Sequence, residues 1–381
     1  MPPRTRSQTN KEQSVINTVK TLIAKRGNLN EVDEDDGSTM LFRASKEGNL
    51  ELVRLLVKGG ADMDKADNNG RTPLFIASRE GHLEVVRLLL DAGANIDKGG
   101  WRVRTPLWIA SAEGDLKIVK LLIEKGANLD IKGSMGTPLY VASQYGHLKI
   151  VRLLLEAGAD KDKAENGRTP LFVASERGHH KIVKLLIEKG AKLDETDIEG
   201  RTPLFMACRQ GHHAVVRLLV EAGADKDKSG LEGWTPLSIA SNRGDLETVR
   251  LLIEKGANLD KATKIYSWTA LYTACWWGHL EVVRLLVEAG ADIAKKDKDG
   301  NTPLDIAKKE DHTDIIEYLE KGVGTGGGKK KRVYKKKGGE DSLSSLPFPG
   351  QEGMVGAGEH EMEGGKKKRV YKKKSNHRRI K

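Results

Sequence analysis

Cysteine occurs only twice in 381 residues, which excludes a disulfide framework and suits a reducing compartment. Aromatics are scarce at 5%, and hydrophobic residues reach only 38%. That is too little for one large globular core, but enough for many small layers each half covered by a neighbour. No run approaches the ~18 consecutive apolar residues of a membrane span. The opening, MPPRTRSQTN, lacks the apolar stretch of a secretory signal. Also missing are a nucleophile elbow, an H-E-x-x-H pair and a phosphate-cradling G-x-x-x-x-G-K-[ST]. An intracellular protein without enzymatic activity, cofactor or membrane contact is expected.

Charge is plentiful, and its placement matters more than its amount. The formal net charge is +11, and residues 324–381 hold 13 Lys and 4 Arg against 6 Asp or Glu. The whole excess therefore sits in the tail, and the body is electrically balanced.

Repetition organises that body. A Thr-x-Leu tract begins at Thr39, Thr72, Thr105, Thr137, Thr169, Thr202, Thr235, Thr269 and Thr302, at spacings of 32 to 34 residues. A typical copy reads TPLFIASREGHLEVVRLLLDAGANID from Thr72 to Asp97. Thr72 suits a helix N-cap, and Pro73 at the first helical position lacks an N–H that would be orphaned there anyway. Gly81 ends this short helix. His82, in a slot held elsewhere by Asn49, Asp115 or Asp245, is expected to cap the next helix. Leu83, Val85, Val86, Leu88 and Leu89 line that second helix, and Gly93 stops it. A polar link with Asp67, Asn68, Asn69 and Gly70 suits a projecting turn.

The unit resembles the ankyrin repeat, with its 33-residue period and T-P-L-H-x-A motif. The resemblance covers about residues 11–322. It implies an all-α solenoid of helix-turn-helix pairs with projecting hairpin loops, and a protein-binding concave face. One departure is systematic. The motif's His is replaced by Phe75, Trp108, Tyr140, Phe172, Phe205, Ser238, Tyr272 or Asp305, so aromatic packing is expected to replace hydrogen bonding there. The expected boundaries are a disordered N-terminus at 1–10, a capping half repeat at 11–37 and nine repeats at 38–322. A disordered Gly/Lys-rich basic tail then runs from 323 to 381.

Candidate chemistry is sparse. Six of the repeat histidines (His82, His147, His179, His212, His279, His312) share one turn slot, about 10 Å apart in successive packed layers. That is too far for a shared metal, so none is expected. Cys208 and Cys275 share a slot filled elsewhere by Ser78, Ser111 or Ser143, and read as small buried side chains. Arg54, Arg87, Lys120, Arg152, Lys184, Arg217, Arg250 and Arg284 should form a stripe. Asp or Glu four residues on (Asp91 and Glu124 through Glu288) is expected to neutralise it by an i,i+4 pair in every inner helix.

Two slots before each turn glycine vary while their surroundings barely change. The resemblance implies that they line the partner-binding face. Tyr145, Arg177, Arg209, Arg243, Trp276 and Trp277 occupy them. Trp234 and Trp268 stand where other copies have arginine, and Tyr266 lies on the hairpin tip between them. These nine residues are the candidate binding set. Two readings of the aromatics stay open: anchors for a partner, or glue between adjacent hairpins.

The nonapeptide KKKRVYKKK occurs at 329–337 and again at 366–374. It resembles a nuclear-import signal carried by Lys329, Lys330, Lys331 and Arg332, and by Lys366, Lys367, Lys368 and Arg369. The expected function is a monomeric scaffold or adaptor. It would bind an unknown protein partner, with a tail that engages an import receptor and a nuclear rather than cytoplasmic location. The alternative is a chromatin- or RNA-associated factor whose tail binds nucleic acid.

Overall fold

The structure, a computed structural model, describes residues 6–100 and 104–322. The 1–5 segment and the basic tail from 323, with both KKKR tracts, lie outside the described residues.

A first helix, α1 (Arg6–Ala24), precedes nine helix pairs. It begins inside the 1–10 segment expected to be disordered, and it buries Ile16 and Val19. The first four pairs are α2 (Met40–Glu47) with α3 (Leu50–Lys58), α4 (Pro73–Arg79) with α5 (Leu83–Asp91), α6 (Pro106–Glu113) with α7 (Leu116–Glu124), and α8 (Pro138–Tyr145) with α9 (Leu148–Glu156). Three more are α10 (Pro170–Glu176) with α11 (His180–Glu188), α12 (Pro203–Gln210) with α13 (His213–Glu221), and α14 (Pro236–Asn242) with α15 (Leu246–Glu254). Copy eight is α16 (Ala270–Trp276) with α17 (Leu280–Glu288), and copy nine is α18 (Pro303–Lys309) with α19 (Thr313–Gly322). The links carry isolated antiparallel bridges such as Val32 with Thr39 and Glu165 with Arg168. No strand forms among the described residues.

Local chemistry builds each pair. Thr72 Oγ1 accepts the Phe75 N–H at 3.2 Å, and all nine threonines cap their helix in this way. The second helices of copies one to eight each turn out through a glycine such as Gly93, whose φ is 95°. There the Ala94 N–H donates to the Leu89 carbonyl at 3.0 Å, closing a Schellman turn.

Helix pairs then stack. First helices pack on first helices and second on second along the series, more closely among the first helices. Leu74, Ile76, Ala77, Val86 and Leu89 are fully buried between layers. The slot three residues after each threonine behaves as expected of an aromatic core: Phe42, Phe75, Trp108, Tyr140, Phe172, Phe205 and Tyr272 are all buried. Ser238 and Asp305 instead complete capping boxes with Thr235 and Thr302.

Candidate functional site

The histidine slot does not cap the second helices. No side-chain cap bond forms at His82, His147, His179, His212 or His279, whereas Asn49, Asp115 and Asp245 do cap. Instead each imidazole reaches back one layer. His82 Nε2 lies 3.0 Å from the Lys46 carbonyl, His212 3.0 Å from that of Glu176, and His279 3.0 Å from that of Asn242. A carbonyl can only accept, so Nε2 carries the proton and donates. The expectation of a cap failed because the ring is long enough to span the gap between layers, while Asn and Asp are not. The preceding turn glycine makes room: a Cβ on Gly278, at φ 75°, would stand 2.7 Å from the His312 ring.

A second ladder runs along the loops. The Asn95 N–H donates to Asp64 Oδ1, the Asn128 N–H to Asp97 Oδ1 and the Asn258 N–H to Asp227 Oδ1, at 2.8–3.0 Å. Both ladders fix successive copies in register and so hold the variable slots in a row.

In several copies the residue before the threonine lies over the aromatic core. The Arg104 guanidinium lies 4.6 Å from the Trp108 ring centroid, and that of Arg168 lies 5.1 Å from Phe172. Trp268 takes the same place by stacking on Tyr272, with centroids 5.7 Å apart and planes at 16°. It is also the hub of a larger pile: Tyr266 stacks at 4.6 Å, Trp276 tilts against it at 5.0 Å and Trp234 meets it edge-on at 6.2 Å. Tyr272 Oη donates to Asp297 Oδ2 at 2.6 Å. Burial, and then this bond, push the Tyr272 phenol up. Burial also pushes Asp297 up, but hydrogen bonds from Tyr272 and Asn301 outweigh it and hold its carboxyl below the usual range.

Four of the candidate aromatics, Trp234, Tyr266, Trp268 and Trp276, are thus joined into one pile around Trp268. Trp277 stands outside it. Trp234, Trp268 and Trp276 are half-buried, while Tyr266 and Trp277 are 44% and 37% exposed. Tyr145 is exposed in copy four, and its ring centroid lies 6.4 Å from that of His147. Arg177 is exposed, while Arg209 and Arg243 are half-buried. Exposed apolar residues that the sequence did not single out include Ile198, 79% exposed, and Ile265, both on hairpin tips. Their signal was an isoleucine where the equivalent turn of copy two has Asn68.

The stripe on the second helices is paired in part, and only some of the pairs are the expected ones. Lys120–Glu124 and Lys184–Glu188 are i,i+4 pairs at 3.8 and 4.0 Å. Arg87 and Arg284 turn back to Glu84 and Glu281, Arg217 crosses to Glu247, and Asp91 pairs with Lys125 of the next copy. Acids three residues earlier and one layer away compete equally well at a solvated surface. Cys208 and Cys275 are buried and unbridged, and burial pushes both thiols up, Cys275 to about 12. Among the described residues no three His, Cys, Asp or Glu side chains cluster as metal ligands would, and no helix is long and apolar enough to cross a membrane.

Comparison with known families agrees with this geometry. The family described as ankyrin repeats (3 copies) matches residues 10–100, 99–165, 160–230 and 225–297. That described as ankyrin repeats (many copies) matches residues 277–320. No curated protein matches the chain.

Proposed function

Because the chain belongs to the ankyrin-repeat family, whose role is protein–protein interaction, we propose that it is a non-enzymatic scaffold. It binds a protein partner on the face made by its first helices and hairpin tips. The observation that carries this reading is the contrast along that face. The ladders hold every copy in one register, yet the exposed slots change from copy to copy and end in Tyr266 and Trp277. These two rings keep a large part of their apolar surface in water at a fixed spot, as sites for a protein partner do. Buried against a partner, they supply area at little entropy cost.

The duplicated KKKRVYKKK supports a second element, a tail that acts as a nuclear-import signal. Clustered Lys and Arg suit the acidic groove of an import receptor.

The test is affinity capture with the full chain and with a variant carrying Ala at both KKKR tracts. A defined protein that co-purifies with both, resists nuclease and survives high salt supports the scaffold. Capture that nuclease or the tail substitutions abolish would favour a nucleic-acid-associated factor instead.

A further inference from the structure

The first-helix face is not uniform along copies five to eight. In copy five Glu176 pairs with Arg168, and in copy six Asp197 and Glu199 pair with Arg201. These carboxylates are thereby engaged. Arg177 and Arg243 have no ion-pair partner within 4.0 Å among the described residues. Arg243 lies over Gly211, in the space that a histidine ring fills at other junctions, and its buried Nε has no hydrogen-bond partner. Residues eight apart, before the threonine and at the end of the first helix, face each other, as Arg168 with Glu176 and Trp268 with Trp276 show. In copy six the corresponding residues are two arginines. Burial, and then the Arg201 charge, hold Arg209 below the usual guanidinium range. The Glu199, Glu176 and Asp197 carboxylates offset part of that effect.

This cationic stretch continues along the same slots to Trp277, the chain neighbour of Trp276 in the aromatic pile. The histidine bonds from His212 to Glu176 and from His279 to Asn242 join copies five to six and seven to eight, and the loop bond from the Asn258 N–H to Asp227 Oδ1 joins six to seven, so the slots stay in one row. An eight-residue first helix is about 12 Å long. Three layer spacings amount to about 30 Å, roughly what nine extended residues span. A strip this narrow and long fits a single extended chain rather than a globular face.

We infer that Arg177, Arg209, Arg243, Tyr266 and Trp277 bind an extended acidic peptide segment with apolar side chains. Its carboxylates meet the arginines, and its apolar groups lie on the two exposed rings. The inference rests on the protein-recognition reading and adds the chemistry of the partner. Charge complementarity favours an acidic segment, because arginine forks bind carboxylates bidentately. A single-stranded nucleic acid is disfavoured by the pile itself: the faces of Trp268 are taken by Tyr266 and Tyr272, so successive bases find no row of free rings.

The experiment is fluorescence anisotropy with the full chain. The probe is a labelled peptide in which a run of Asp and Glu is followed by Leu and Phe. Two controls replace its acids by Asn and Gln, or its Leu and Phe by Ala. A single-stranded DNA of equal charge competes. Expected are binding of the parent peptide and at least about tenfold weaker binding of both controls. Arg177→Glu with Arg243→Glu, and separately Trp277→Ala, should each weaken binding about tenfold or more. Ala at both KKKR tracts should change little, and thermal unfolding should show each variant folded. The inference is overturned if the parent binds no better than its controls, if the arginine and Trp277 variants bind like the wild type, or if DNA competes through the same residues. Failure here alongside retained capture of a protein would remove the acidic chemistry and leave the scaffold reading intact. Loss of both would remove both.

Discussion

His312 Nε2 donates to the carbonyl oxygen of Trp276 at 3.0 Å. One residue thus does two jobs at the end of α16. Its backbone is held by the ninth copy, and its ring backs Trp268 in the pile that supports Tyr266. The contact joins stability to the proposed binding strip, because the copy that presents the aromatics is fixed by its neighbour's imidazole.

Removing one such imidazole should therefore loosen one junction. His279→Ala loses the bond to the Asn242 carbonyl and the ring over Gly244. Denaturant unfolding should show a loss of about 1–2 kcal/mol. Asn at this position, too short to reach the earlier layer, should not restore it. An unchanged midpoint would mean that the histidine ladder is incidental.

The same ladder makes stability depend on pH. Burial lowers the pKa of both His212 and His279 below the ordinary value. The unfolded chain then binds more protons than the folded one once pH drops to about 6.5. Stability from these two residues is complete above that value and declines as pH falls through the lowered folded values. Melting temperature should fall between pH 7 and pH 5, and less steeply in a His212→Ala, His279→Ala double variant. Equal slopes would place the acid sensitivity elsewhere.

The aromatic sector should split by position. Trp268 meets four rings, and Trp268→Ala should cost about 2–3 kcal/mol, below the range for a fully buried Trp. Trp277→Ala should stay within about 0.5 kcal/mol, as exposed sites do. Urea unfolding of the two variants side by side decides this. Trp276→Ala should resemble Trp268→Ala, so it is a poor probe of binding and Trp277 a good one.

Residues 324–381, fused to a cytoplasmic reporter, should drive it into the nucleus, since the entire +11 lies in this segment. Microscopy of the fusion, and of a version with Ala at Lys329–Arg332 and Lys366–Arg369, is the check. A reporter that stays cytoplasmic, or an Ala version that still accumulates, removes the import reading.

Much of this was legible because it is short-range. A threonine that caps the N–H three residues on, a proline at the first helical position and a glycine after the last turn act within one turn of helix. The sequence displays them directly, the threonine in all nine copies and the proline in seven. The aromatic replacement of the motif histidine was equally plain, since Phe75 or Tyr272 sits in a slot whose neighbours are all core. Reading His82 as a cap went wrong at the point where the partner lies far along the chain. Its acceptor, the Lys46 carbonyl, is 36 residues earlier.

The sequence by itself determined the repeat, the ends of each helix and the confinement of excess charge to the tail. Those depend on backbone geometry and composition within a copy. Only the tertiary structure decided what meets across copies. Trp268 became the centre of the pile instead of an exposed anchor, Asp91 chose Lys125 over its own helix, and Ile198 was left in water. Stacking brings residues 30 or more positions apart within a few ångströms. Which of several chemically equivalent partners lies nearest then depends on layer spacing and side-chain reach, and no local pattern encodes these.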